Sequence, residues 1–147
     1  MILKKLTLSF ALLLAASVVP RAVDAAQPAW TYLGEFSSVS TSSESGDCDG
    51  YVLRLWKLGS KDGPPMTGIF TQADGSCGKQ GTPIYSVRYS SAKSEIAFAS
   101  PSESTAVPET RNFKGRIGAG QITGTLTTFN HVHATSTSTP LVLKKVQ

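Results

Sequence analysis

The sequence predicts an all-β fold, a small antiparallel up-and-down β-barrel of about seven to eight strands. Short runs of β-branched and aromatic residues recur along the chain, separated by Gly, Pro, Asp and Ser. Beyond the N-terminal region, no ten-residue stretch has the apolar spacing of an amphipathic helix. The predicted strands follow one another through short turns, which favours up-and-down order. A β-sandwich is the alternative fold.

The predicted strands begin with residues 30–40, where Trp30, Tyr32 and Leu33 are the candidates for the apolar face. The Ser/Thr-rich stretch 37–46 then forms a polar hairpin loop. The second strand, 50–58, has the sequence GYVLRLWKL, which is dense in strand-forming residues. Arg54 within it indicates that one side of this strand meets solvent.

A third strand is predicted over 67–73, between a proline-rich turn and the Asp74-Gly75 turn. The fourth strand alternates strictly, and this alternation places Tyr85, Val87 and Tyr89 on one face. After a turn at 91–94, a fifth strand repeats the pattern with Ile96 and Phe98.

A β-hairpin with a glycine-rich turn follows, in which F-K-G-R-I over 113–117 precedes I-T-G-T-L over 122–126. Gly115 and Gly124 fall on its inward face, where glycine makes room for a bulky neighbour or allows the strand to bend. A last strand is predicted within 131–145, broken or bent near Pro140.

The F-x-G-x-I and I-x-G-T-L pattern of this hairpin, over about fifteen residues, resembles hairpins of calycin-type barrels, the group that contains lipocalins and avidins. The resemblance implies a closed up-and-down barrel. The G-x-W opening of lipocalins is absent, so no binding residue is carried over from that group.

Residues 1–25 are predicted to be a cleaved signal peptide. Lys4 and Lys5 precede an apolar run over 6–19, and Val23-Asp24-Ala25 offers short side chains to a signal peptidase. The apolar run is shorter than the roughly twenty residues that a membrane-spanning helix needs, so no membrane span is predicted. The sequence therefore predicts a secreted or periplasmic protein with a single β-barrel domain over 26–147.

Cleavage also changes the charge of the protein. It removes three basic residues and one acidic residue, which lowers the formal net charge from +4 to +2. The longest basic run left is Lys144-Lys145, far short of the dense basic stripe that nucleic-acid binding requires. No nucleic-acid partner is predicted.

Cys48 and Cys77 are the only cysteines, and in an oxidising compartment they predict one disulfide. The bond would stabilise the fold by roughly 3 to 4 kcal/mol in the chain-entropy model. Asp47 and Asp49 flank Cys48 and disfavour its thiolate, so a structural bond is favoured over a reactive thiol.

Several aromatic residues occupy alternating positions, where they would fill the core of a small barrel. The other interpretation is that some of them line a pocket for an apolar ligand, as aromatic side chains commonly do. The candidate ligand-binding residues are Trp56, Tyr85, Tyr89, Phe98 and Phe113.

No nucleophile, base and orienting group stand in a recognisable pattern, so the sequence predicts no enzyme and no cofactor. His131 and His133, two residues apart in a predicted extended segment, would point to one side and could begin a metal or hydrolytic site. Such a site needs a third ligand, which the sequence does not place, and no metal is predicted.

The predicted function is that of an exported, soluble, non-enzymatic binding protein for a small apolar ligand or a protein partner. The first alternative is an inhibitor or immunity protein that blocks a secreted or cell-wall hydrolase with loop 37–46 or 101–108, because a rigid scaffold lowers the ordering cost of binding loops. The second is a metal-binding or hydrolytic protein that uses His131 and His133.

Overall fold

The computed structural model describes residues 29–59, 66–75, 77, 81–102 and 107–146. The predicted signal peptide lies outside the described residues, as do parts of the predicted loops. The regular elements in the described ranges are ten strands: β1 (Trp30–Ser37), β2 (Ser40–Thr41), β3 (Cys48–Leu58), β4 (Met66–Gly75), β5 (Thr82–Pro83), β6 (Tyr85–Ser90), β7 (Glu95–Pro101), β8 (Glu109–Ile117), β9 (Gln121–Asn130) and β10 (Thr135–Lys145).

The strands form one antiparallel sheet in the order β5-β4-β3-β1-β10-β9-β8-β7-β6, and β2 pairs with β3. Ile84 links β5 at one end of this order to β6 at the other, and its N–H donates to the carbonyl of Gly68 at 3.0 Å. The sheet is thus nearly closed into an up-and-down barrel, which confirms the predicted fold over the sandwich. Nine strands form the wall. The predicted count was too low because the stretch on either side of Ile84 divides into two strands.

Apolar side chains from all around the wall fill the barrel. Four of them form a continuous row, the inner aromatic chain: Tyr51 stacks on Phe70 at 5.3 Å between ring centroids, Phe70 meets Phe98 edge to face at 5.4 Å, and Phe98 stacks on Phe113 at 5.2 Å. The other core residues are Phe36, Leu53, Leu55, Met66, Ile84, Ile96, Ile122, Leu126, Leu141 and Leu143. Such packing is typical of a small barrel whose interior is a core.

Gly115 and Gly124 lie directly opposite each other in β8 and β9. A Cβ atom added at Gly115 would lie 2.6 Å from Cζ of Phe113, and one added at Gly124 would lie 2.7 Å from it. The prediction that these glycines make room for a bulky neighbour is confirmed, and the neighbour is the last ring of the inner aromatic chain.

The predicted disulfide is confirmed: Cys48 and Cys77 are bonded, with 5.1 Å between their Cα atoms. The bond ties the first residue of β3 to the segment that follows β4. It closes a loop of about thirty residues, the length assumed for the stabilisation predicted above.

Two inserted residues overturn predicted faces. Ser86 has φ of 52°, and the register between β6 and β7 shifts between Tyr85 and Arg88. The prediction that Tyr85 shares a face with Val87 and Tyr89 is therefore wrong, because Tyr85 is exposed while the other two pack against the core.

The second bulge lies in β1, where the register with β3 shifts between Tyr32 and Gly34, so that Leu33 is inserted. Leu33 packs against the core, whereas Trp30 and Tyr32 are exposed. The prediction of the apolar face is therefore confirmed for Leu33 and wrong for Trp30 and Tyr32, for the same reason as at Tyr85. A bulge exchanges the two faces of a strand.

A break of the last strand at Pro140 does not occur, since β10 runs without a register shift from Thr135 to Lys144 along β9. Against β1, by contrast, β10 pairs only through Phe36 with Lys145 and Ser37 with Lys144. The ladder between β1 and β10 is therefore short, with two residue pairs.

Candidate functional site

The five aromatic residues predicted to bind a ligand do not converge on one pocket. Phe98 and Phe113 are 3% and 2% exposed and belong to the inner aromatic chain. Tyr89 is partly buried at the margin of the core. Tyr85 lies outside the barrel, and so does Trp56. Ligand binding by this set stays a prediction, and Phe98 and Phe113 have the contacts of core residues.

Trp56 instead belongs to a patch on the outside of the barrel. It pairs with Tyr32 across β3 and β1, and Leu58 pairs with Trp30 in the same ladder. Paired residues, and residues two apart in a strand, share a face of the sheet. These four side chains, Trp30, Tyr32, Trp56 and Leu58, therefore stand together, and we call them the outer aromatic patch.

Two rings of the patch are in contact, and two of its side chains are open to solvent. The ring centroids of Tyr32 and Trp56 are 5.1 Å apart, with the planes tilted by 43°. Trp30 is 49% exposed and Tyr32 is 52% exposed, whereas Trp56 is partly buried. The chain has two tryptophans in all, and both lie in this patch. Tryptophan is highly buried on average in folded proteins, so the exposure of Trp30 is informative.

A charged pair and a groove border the outer aromatic patch. Nε of Arg54 donates to Oε2 of Glu35 at 2.8 Å, and Arg54 shares its face of β3 with Trp56. A groove of about 470 Å³ begins at Tyr32 and continues along β1 to the end of β10. Its other lining residues are Leu33, Gly34, Glu35, Lys145 and Val146.

Gly34 shapes this groove. Its φ of 136° lies in the region that favours glycine, and a Cβ atom added there would lie 2.9 Å from Cε of Lys145. The β1 bulge therefore both turns Tyr32 outward and lets the Lys145 side chain cross the strand closely.

Inside the barrel, a polar layer lies alongside the inner aromatic chain, since Gln72, Ser100 and Arg111 each stand two residues from one of its rings. The guanidinium of Arg111 is buried, donates from Nη2 to Oε1 of Gln72, and lies 3.6 Å from the Glu109 carboxylate. Ser100, opposite Arg111 in β7, is also buried and hydrogen-bonds Thr82 at 2.6 Å. No buried side-chain N or O atom in the described ranges is without a hydrogen-bond partner. The layer is thus internally satisfied, as buried polar groups must be.

Tyr51 joins the inner aromatic chain to this polar layer. Its burial raises the pKa of the phenol above the ordinary value of 10.0, and the Arg111 charge opposes that shift. The carboxylates of Asp49, Glu109 and Asp74 raise the pKa further. The Tyr51 hydroxyl therefore stays neutral at physiological pH.

The two histidines lie in the turn between β9 and β10, residues 131–134, so the predicted extended geometry is wrong. Nε2 of His131 lies 2.8 Å from Oγ1 of Thr110, and its ring meets Phe129 edge to face. Among the residues that the structure describes, no group of three His, Cys, Asp or Glu side chains could hold a metal ion.

No known family model, curated protein or solved structure matches the chain. Within the described part of the chain, no helix has the length and apolar character to span a membrane.

Alternation alone missed Trp30 and Tyr32 as surface residues. With Phe36 in the core, strict period-two counting also places Gly34, Tyr32 and Trp30 inside. The signal that could have corrected this is Gly34 itself, since a glycine within a strand often marks a bulge. When one inserted residue is allowed for in the alternation, Tyr32 and Trp30 fall on the outer face.

Proposed function

We propose that this chain is an exported, non-enzymatic binding protein that holds another secreted protein on its outer aromatic patch. The observation that carries the proposal is the placement of the aromatic residues. Inside the barrel they pack against one another, whereas Trp30 and Tyr32 present about half of their surface to solvent. Accessible aromatic surface is therefore on the outside of the wall.

The composition of the patch favours a protein as the ligand. Protein interfaces are enriched in Trp, Tyr and Arg, and these residues contribute most of the binding free energy where they cluster. Trp30, Tyr32 and Trp56 supply such a cluster, with the Arg54 and Glu35 pair at its margin. Because the patch stands on paired strands, little conformational entropy is lost when a partner binds.

The alternative functions rest on other parts of the chain. A small apolar ligand inside the barrel would have to displace the contact between Phe98 and Phe113. Inhibition of a secreted hydrolase is a special case of protein binding, with the hydrolase as the partner. Metal or hydrolytic chemistry at His131 and His133 has no further support from the geometry of their turn.

The proposal is tested by capturing partners with the immobilised mature protein from the secreted and periplasmic fractions of the producing organism. We expect a stoichiometric protein partner whose retention falls by about tenfold, equivalent to 1.4 kcal/mol, or more with the double variant Trp30→Ala, Tyr32→Ala. Tyr85→Ala is the matched control, because Tyr85 is 46% exposed but lies elsewhere on the outer face. It should retain the partner fully.

Two results would contradict the proposal. Equal loss of the partner with Tyr85→Ala and with the double variant would mean that the contact is not made by the patch. A small molecule bound in native mass spectra, together with no protein partner, would instead favour a ligand inside the barrel.

A further inference from the structure

The edge of β10 that faces β1 is open along most of its length. β10 is paired with β9 at ten positions, from Thr135 to Lys144, but with β1 at two positions only. Beyond Ser37 the chain turns away to pair with β3, through the Ser38 N–H to the Tyr51 carbonyl and then through β2. No described strand pairs with β10 on this side between Thr135 and Leu143.

The hydrogen bonds at the end of β10 identify which backbone groups face the edge with which no described strand pairs. The N–H of Lys145 donates to Gly120 on the β9 side at 2.9 Å, and that of Val146 donates to Glu35 on the β1 side at 2.8 Å. N–H and C=O groups alternate sides along an antiparallel strand. Since the register is unbroken, the even-numbered residues present their backbone groups to the open edge. These residues are Ser136, Ser138, Pro140 and Val142.

Pro140 fits this assignment. It stands at an even-numbered position, so its missing N–H removes no hydrogen bond from the ladder with β9. Proline and charged residues are the usual protection of an exposed edge. Pro140 is the single proline in β10, and residues 135–143 carry no charge. Residues 135–140 are exposed on both faces, so side chains would not obstruct an approaching strand.

The side that the open edge faces is acidic. There the β2 and β3 hairpin carries Glu44, Asp47 and Asp49, and all three are exposed. In the described residues from 29 to 75, five acidic residues outnumber two basic ones, whereas from 81 to 146 seven basic residues outnumber two acidic ones. A strand added to β10 would meet the acidic part of the barrel on its other side.

We propose that the open edge of β10 binds an extended, basic segment of a partner polypeptide as an additional strand. The backbone of the segment would pair with Ser136, Ser138 and Val142, and its lysine or arginine side chains would face the acidic hairpin. Main-chain pairing supplies affinity in this mode of recognition, and side chains supply selectivity. This site is separate from the outer aromatic patch, so neither proposal depends on the other.

The test uses a synthetic peptide of about eight residues, a usual strand length, that alternates lysine with valine. Amide hydrogen exchange is followed by NMR with and without the peptide. We expect slower exchange at Ser136, Ser138 and Val142 on addition of the peptide. Thr137 and Thr139, whose N–H groups already pair with β9, serve as internal controls and should not change. A peptide with glutamate in place of lysine should bind at least about tenfold more weakly.

Ser138→Pro is the decisive variant, because it removes an edge N–H without removing a bond to β9, as Pro140 already does. It should fold and lose peptide binding. Ser136→Pro tests the same point if Ser138→Pro does not fold. Failure of the lysine peptide to bind, or equal binding by the proline variants, would overturn the proposal. Protection of the even-numbered amides that rises with protein concentration, without peptide, would overturn it in favour of a second copy of the chain at this edge.

Discussion

The inner aromatic chain and the outer aromatic patch use the same kinds of side chain, and strand β3 contributes to both. Tyr51 of β3 stacks on Phe70 inside the barrel, while Trp56, five residues later, meets Tyr32 outside it. Inside, ring contacts continue from strand to strand and end against two glycines. Outside, they end at solvent. The position of a ring relative to the pleat decides whether it stabilises the fold or remains available for binding.

The comparison also indicates how a binding surface can arise in such a barrel. In a regular strand, Tyr32 and Phe36 would lie on the same face. The inserted residue Leu33 in β1 places Phe36 inside the barrel and Tyr32 outside it. Leu33 itself packs against the core. A bulge therefore moves aromatic surface from the core to the exterior without leaving the core empty.

The largest expected effect on the free energy of unfolding is in the inner aromatic chain. Phe113→Ala removes a ring that is stacked on Phe98 and fully enclosed, so we expect a loss of about 3 to 5 kcal/mol in the free energy of unfolding. Urea denaturation measures it. Phe129→Ala, on the opposite face of the neighbouring strand β9 and only partly buried, is the matched control and should cost less than half as much. Equal costs would contradict the assignment of the two faces.

The next effect tests the space beneath the same ring. Gly124→Ala places a methyl group against the backbone oxygen of Lys114 and 2.7 Å from Cζ of Phe113, and it should lower the free energy of unfolding by about 1 to 3 kcal/mol. Gly120→Ala, in the turn before β9, meets nothing within 4 Å and should be nearly neutral. An unchanged denaturation midpoint for Gly124→Ala would show that the β8 backbone and the Phe113 ring both move aside at little cost.

The inner aromatic chain was more predictable from the sequence than the outer aromatic patch. Alternation in β7, β8 and β9 gives the inward positions of Phe98, Phe113 and the paired glycines, because these strands run without a bulge. The cysteine count and the predicted compartment were enough for the disulfide. In a strand without a bulge, the spacing of residues in the sequence determines directly which face each residue occupies. These features therefore follow from local sequence rules.

The outer patch could not be predicted in the same way. One inserted residue, at Leu33 or at Ser86, moves every strand residue on one side of it to the opposite face of the sheet. Strict alternation of faces along the sequence does not take such an insertion into account. The buried position of Arg111 was missed for a different reason. An arginine within a polar run is expected outside, and only the tertiary contact with Gln72 in another strand satisfies it inside.

A smaller effect on the free energy of unfolding, confined to alkaline solution, is expected at Tyr51, where the inner aromatic chain meets the polar layer. The folded state raises the pKa of Tyr51 through burial, so its contribution to stability is fully present below the unfolded pKa near 10.0. It is lost as the pH rises through the folded value, since the unfolded chain then ionises more readily. Urea denaturation from pH 8 to above pH 10 should show a steeper fall for the wild type than for Tyr51→Phe. Identical slopes would remove this role for Tyr51.

The smallest effect on stability is expected in the outer aromatic patch. Trp30→Ala should change the free energy of unfolding by about 0.5 kcal/mol or less, because half of the ring is already in water. Tyr32→Ala should cost a little more, since it also loses the contact with Trp56. Tyr85→Ala calibrates the cost of an exposed ring outside the patch. If Trp30→Ala lowered stability as much as Phe113→Ala, the patch would be part of the core in energetic terms. Near-neutral values instead leave partner binding as the property that these exposed rings serve.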